Sequence, residues 1–257
     1  APSLFTLGNM ACGFYALLAS VQGDFVSSAT AIVAGMVFDA LDGRVARLVH
    51  GESSFGIEFD SMADFLTFGV APAHMMYAFI LKDYGIWGYP MAFVYALCGG
   101  LRLARFNAVA HGGAGSKTHF TGLPIPGGAG FLASFVLVYQ IIEVGRPAHT
   151  WKFLMDRVPA LYGLAPLMTV AVALLMVSTI PYPAFKQPGV IRPKSLPVIL
   201  ILLAIGFLLF YYPQNSIFLI FFAYVLIGPV SWLARLVGRA FGWKPEPLDD
   251  GPSGEPL

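Results

Sequence analysis

The chain has 257 residues, 57% of them hydrophobic and 11% charged, with a formal net charge of +1. An average soluble domain carries about 25% charged residues, so this composition excludes a soluble domain, and the absence of a basic stripe excludes a nucleic-acid partner. Apolar runs of roughly 17 to 25 residues, the length that crosses a bilayer, recur from end to end. The chain therefore reads as an all-α, polytopic transmembrane bundle whose surroundings are lipid.

In chain order the apolar runs predict eight spans, at 4–22, 26–48, 57–81, 87–108, 125–143, 160–180, 196–212 and 216–238. The first lacks a basic flank and a cleavage site, so it reads as a span and not as a signal peptide. Turns are expected at Gly23-Asp24, at Lys82–Gly85, in the glycine-rich run 112–115, across PYPAFKQPGVIRPK and at Tyr212–Asn215. A single transmembrane domain is expected over 1–242. The polar tail 243–257, rich in Pro and Gly, is expected to be disordered. Cys12 and Cys98 both sit in apolar runs, where cysteine is a small core residue.

Eight spans place both termini on one side, and eleven of the fifteen Lys and Arg fall there, which makes that side cytoplasmic. The acids are distributed just as unevenly. Asp39, Asp42, Glu52, Glu58, Asp60 and Asp64 crowd into FDALDGRVARLVHGESSFGIEFDSMADF (residues 38–65), while the other eight lie in outer loops, at span ends or in the tail. Spacings of three (Asp39, Asp42) and four (Asp60, Asp64) each put a pair of carboxylates on one helix face. An antiparallel turn between the two spans brings both pairs to one depth near the cytoplasmic interface.

Four carboxylates in one place repel one another unless something neutralises them. Oxygen ligands suit Mg²⁺ or Mn²⁺, and two such ions about 3.5–4 Å apart serve in-line phosphoryl displacement. Gly43, Ala46 and Gly56 strip bulk from the helix faces beside the acids, and Arg47 offers a planar fork for phosphate. Asp60 and Asp64 alone would equally suit a solvated helix start, and small residues alone suit helix packing. The combination in one register goes beyond both. A cation transporter would instead show acids at mid-membrane in several spans, without an arginine beside them.

The pattern Asp39-x2-Asp42-Gly43-x2-Ala46-Arg47-x8-Gly56-x3-Asp60-x3-Asp64 resembles the signature of the CDP-alcohol phosphatidyltransferases at all eight fixed positions. TLGN (Thr6–Asn9), DFLTFGVAPA (Asp64–Ala73), RLARFN (Arg102–Asn107) and GLPIPGGAG (Gly122–Gly130) are similar to the members whose acceptor is serine. The second half of the chain offers no motif. The resemblance implies transfer of a phosphatidyl group from CDP-diacylglycerol to L-serine in a prokaryotic cytoplasmic membrane, by a homodimer with a site facing the cytoplasm and two divalent cations, Mg²⁺ or Mn²⁺. It implies metal ligation by Asp39, Asp42, Asp60 and Asp64, with Asp64 also the general base. It implies donor binding by Gly43, Arg47 and Ser53, room for the nucleotide at Ala46 and Gly56, and a pocket lining from Thr6 and Asn9. A zwitterionic acceptor needs a cation for its carboxylate, and Arg102 and Arg105 at the cytoplasmic end of span four are the candidates. The alternative is a sister enzyme that uses glycerol 3-phosphate or inositol phosphate. Lys117, His119 and the PIPGG segment, expected as a turn, are placed near the same mouth.

Overall fold

The computed structural model describes residues 4–49, 54–111, 119–143, 162–183, 206–208 and 210–240. Helices α1 (Leu4–Val21) and α2 (Phe25–Val49) form an antiparallel hairpin. Its turn is set by Gly23, whose φ of 79° is open to glycine. Asp24 caps α2, accepting the Ser27 backbone N–H at 3.0 Å. Hydrogen bonds from Ser27 hold that carboxyl below the usual carboxylate range.

Helix α3 (Ser54–Asp64) continues through a π-helical turn (Phe65–Val70) into α4 (Ala71–Phe79). A 3₁₀ segment, Leu81–Trp87, leads to α5 (Gly88–His111). The chain swings by 92° between the halves 55–79 and 81–109, and Gly85 supplies the positive φ of 59° inside the break.

Next come β1 (His119–Thr121), α6 (Ile125–Glu143), α7 (Ala165–Val177), β2 (Pro181–Pro183) and α8 (Pro213–Ala240). Residues 127–138 of α6 are all buried, as expected of a helix that is apolar on every side. Helices α2 and α8 are its main partners, with the π-helical turn, α4, α5 and α7 in lesser contact.

Seven of the eight expected spans thus appear as helices, with boundaries shifted by a few residues. Span seven, 196–212, and the tail 243–257 lie largely or wholly outside the described residues. Three helices are long and apolar enough to cross a membrane, four if the bent pair counts as one span, and α6 and α7 are shorter apolar helices. The protein is therefore a helical integral membrane protein.

One expectation needs correcting, and one small element is added to the helical bundle: β1 and β2, three residues each, pair antiparallel with Phe120 opposite Tyr182. PIPGG is not a turn but the opening of α6. The turn comes just before it, at Gly122 (φ 81°). There the Gly122 N–H donates to Ile180 O and the Leu123 N–H to Leu175 O, both at 2.9 Å. This incoming chain satisfies the Leu175 carbonyl in the last turn of α7, which would otherwise be orphaned, and the Ile180 carbonyl just beyond it, and a β-carbon at Gly122 would collide with the Met176 carbonyl.

Two buried tyrosines repair helices that proline breaks. Proline has no N–H, so Pro72 frees the carbonyl four residues back, that of Phe68. The Tyr95 hydroxyl donates to it at 3.2 Å. Pro229 inside α8 likewise frees the Val225 carbonyl, and the Tyr182 hydroxyl donates there at 3.1 Å. Both tyrosines are fully buried. Each phenol thereby has its hydrogen-bond partner, and each broken helix keeps its backbone satisfied.

Candidate active site

Four helices build the site: α1, α2, α3 with its π-helical extension, and α5. The node beneath it is Thr67 on the π-helical turn. A β-carbon built at Gly13 of α1 would lie 2.8 Å from the Thr67 Cα, and one at Gly35 of α2 would lie 2.6 Å from its Cγ2. Glycine at both positions lets three helices meet at one residue. The Thr67 hydroxyl donates to the Asn9 carbonyl at 2.9 Å, which fixes α1 against the turn.

Above this node α1 presents two polar side chains to the acids. The Asn9 amide donates to Asp64 Oδ1 at 2.9 Å, and the Thr6 hydroxyl donates to Asp42 Oδ2. Thr6, Asn9 and Asp42 are all buried. One carboxylate oxygen from each of Asp39, Asp60 and Asp64 lies within 4.8 Å of the others, a set that could hold a metal ion. Asp42 stands beside this trio, near enough to Asp39 and Asp60 to interact with both electrostatically.

The polar accounting here is incomplete in a telling way. Asp60 Oδ1, Asn9 Oδ1 and Arg102 Nε are buried without a hydrogen-bond partner. Buried polar atoms are rarely left so, and an ion or a ligand is one of the standing explanations. Carboxylate oxygens crowded together and short of donors are the chemistry that a hard divalent cation satisfies, so the residues present fit such an ion. At Gly43 an added β-carbon would meet nothing within 4 Å. Among the described residues, that glycine therefore leaves space beside the acids.

Arg102 reaches this region because α5 comes close to the π-helical turn. A β-carbon at Gly99 would lie 3.6 Å from the Gly69 Cα, so these two glycines allow near contact of backbones. Arg102 lies within electrostatic range of Asp64. Arg105, the other expected acceptor cation, is exposed on α5. Gly56 is half-buried on α3. Ala46 and Arg47 belong to α2, but their side chains, all of Ser53, and Lys117 lie outside the described residues, as does the side chain of His119.

Carboxylates gathered at one end of two neighbouring helices do not form a path through the bundle, which disfavours a transporter. A family-level match agrees with the site. The sequence profile of CDP-alcohol phosphatidyltransferase covers residues 1–158.

The chain belongs to the CDP-alcohol phosphatidyltransferase family.

That match takes in every acid of the site and Arg102. Similarity to individual relatives extends further. The chain is 31% identical over 243 residues to the CDP-diacylglycerol--serine O-phosphatidyltransferase of Helicobacter pylori strain 26695, covering 93% of this chain and 94% of that one. It is 32% identical over 186 residues to the Bacillus subtilis protein of the same name, covering 72% and 91%. It is 33% identical over 193 residues to the archaetidylserine synthase of Methanothermobacter thermautotrophicus, covering 73% and 71%.

Sequence reasoning missed several residues that shape this phosphatidyltransferase site. Thr67 and its glycines, Gly13 and Gly35, form the node. The Asn107 amide donates to Ser61 Oγ at 2.9 Å, tying the end of α5 to α3 beside the acids. Asn107 closes the RLARFN motif, which signalled its importance but not its partner.

Proposed function

We propose that the protein transfers the phosphatidyl group of CDP-diacylglycerol to the hydroxyl of L-serine, giving phosphatidylserine and CMP. The observation that carries this reading is the trio Asp39, Asp60 and Asp64, converging from two helices, with the buried Nε of Arg102 left without a hydrogen-bond partner. The names of the similar proteins support serine as the acceptor.

Asp39, Asp42, Asp60 and Asp64 would hold two divalent cations, Mg²⁺ or Mn²⁺, which when bound polarise the pyrophosphate and offset the charge that grows on departing CMP. The chain's own residues do the rest. Asn9 holds Oδ1 of Asp64 and leaves the other oxygen for the acceptor. Asp64 takes the proton of the serine hydroxyl as that oxygen attacks the phosphorus bearing diacylglycerol. The new O–P bond forms as the bond to CMP breaks. Gly43, Ala46 and Gly56 make room for the nucleotide, Arg47 and Ser53 hold the donor's phosphates, and Thr6 and Asn9 line the pocket through the acids they orient. Arg102 is the cation for the acceptor; Arg105 stands at the mouth.

The surrounding architecture follows from the same reading. Eight spans form one catalytic domain over 1–242 with a polar tail at 243–257, and both termini and the site face the cytoplasm of a prokaryotic cell. Two copies pair, as in the family.

The test is CMP release from CDP-diacylglycerol by the purified protein with Mn²⁺ or Mg²⁺, adding serine, glycerol 3-phosphate or inositol phosphate in turn. Release that requires both serine and metal is the expected result. Release with a phosphorylated alcohol instead would keep the mechanism and replace the acceptor.

A further inference from the structure

A polar cavity lies at the end of α1 remote from the acids. Ser20 stands near the close of that helix, about 21 Å along the axis from Thr6 at 1.5 Å per residue. The cavity measures about 280 Å³, and Ser20, Gly23, Phe25, His74, Tyr77 and Lys82 are among its walls. A water's share of liquid volume is about 30 Å³, so the space takes a group of several atoms. None of the residues lining it belongs to the active site. Its hydrogen bonding has a direction. The buried Ser20 hydroxyl gives its one proton to the Leu17 carbonyl at 2.9 Å. It meets His74 Nδ1 at 2.7 Å, so there it accepts, and Nδ1 carries the ring's proton. Nε2 of His74 is then the nitrogen left to accept from whatever fills the cavity. Lys82 brings three donors to the same space, and among the described residues no acid lines it.

We propose that this cavity holds the headgroup of a phospholipid, with the phosphate on Lys82 and a neighbouring amine donor on His74 Nε2. A cation and an acceptor in one cavity call for a ligand with an anion and a donor. A phosphodiester meets the Lys82 ammonium, and an ethanolamine nitrogen supplies the proton for Nε2. Phosphatidylethanolamine carries both. The position favours a lipid over a soluble phosphate. Val21, Phe25 and Ala78 make the rest of the wall apolar. Lys82 belongs to the 3₁₀ segment Leu81–Trp87, which leaves Tyr84, Ile86 and Trp87 exposed, with Tyr89 exposed just beyond. Tyr and Trp concentrate at the depth of lipid headgroups, so Lys82 lies where a headgroup is. The same segment makes the 92° swing between the halves 55–79 and 81–109. A headgroup bound there bridges the α1–α2 turn, through Gly23 and Phe25, to that bend.

The test is lipid binding by the full chain, purified in detergent and read by native mass spectrometry. Titration with phosphatidylethanolamine should give one lipid held roughly tenfold or more tighter than phosphatidylcholine, whose quaternary nitrogen has no proton to donate. Lys82→Gln, at an exposed position, should weaken phosphatidylethanolamine by a similar factor. His74→Asn keeps a donor for Ser20 but removes the acceptor at Nε2. It should erase the preference over phosphatidylcholine, which a merely structural role would leave intact. Should His74→Asn fail to fold, Lys82→Gln alone decides. Equal affinity of the wild type for the two lipids, or unchanged affinity in Lys82→Gln, would overturn the proposal. The free headgroup, O-phosphoethanolamine, separates the two sources of the phosphate. Displacement of the lipid only at far higher concentration supports a lipid site. Binding as tight as that of the lipid would assign the cavity to a soluble phosphate and overturn it.

Discussion

The two halves of the bundle differ in how completely their described residues satisfy buried polarity. In the C-terminal half, Tyr182 satisfies the Val225 carbonyl, Thr169 and Ser134 bond back to their own helices, and the Gly122 and Leu123 amides satisfy the Ile180 and Leu175 carbonyls. In the N-terminal half, three polar atoms remain buried and unpartnered: Asp60 Oδ1, Asn9 Oδ1 and Arg102 Nε. All three of those orphaned atoms among the described residues sit in the region of the acids. A buried polar group without a partner costs about 1–3 kcal/mol. Among the described residues, the C-terminal half therefore removes that cost with its own groups, and the N-terminal half leaves part of it for a ligand to remove. The comparison marks the candidate site independently of any motif.

Five substitutions sharpen or break this contrast, from the largest expected effect to the smallest. Asp64→Asn removes the proposed base from the unsatisfied half, and serine-dependent CMP release should fall by about 10²–10⁴, with little change in thermal stability. Retention of more than a tenth of the activity would show that the proton goes elsewhere. Gly13→Val drives a side chain into the Thr67 backbone. It should destabilise the protein by about 1–3 kcal/mol or more, seen as a lower melting temperature in detergent together with lost activity.

Tyr182→Phe strips the donor from the Val225 carbonyl in the satisfied half, and a loss of about 1–3 kcal/mol is expected. Pro229→Ala restores a helical N–H to that same carbonyl, so the double variant should be less destabilised than the two single losses added together. Simple additivity in unfolding experiments would refute the pairing of proline with tyrosine.

The smallest effect belongs to a site outside both halves' cores. Asp24→Ala should cost about 1 kcal/mol at neutral pH through the lost cap. The folded carboxyl of Asp24 is held below its ordinary value. Its stabilisation is therefore fully present above the unfolded value near 4 and fades as pH falls through the lower folded value. The gap between wild type and variant should accordingly close in acid, and a gap that persists there would assign the effect to packing.

Much of this was legible in the chain itself. Apolar run lengths located the helices, because a segment in lipid must satisfy its backbone internally. The acids of residues 39–64 announced the site, because carboxylates are tolerated in an apolar chain only where they have work to do. Which of them converge was not legible. Asp39, Asp60 and Asp64 form the trio while Asp42 turns to Thr6, and that depends on the approach of α1 to α2 and α3. The β1–β2 pair and the two tyrosine–carbonyl repairs were equally hidden, since they join residues from 27 to 64 positions apart. Helical periodicity and motif spacing are local properties, so the sequence by itself determined the helices, the acid cluster and the family's chemistry. Only the tertiary structure decided that Arg102 comes within electrostatic range of Asp64 while Arg105 faces outward, because such placement depends on where glycine lets helices touch.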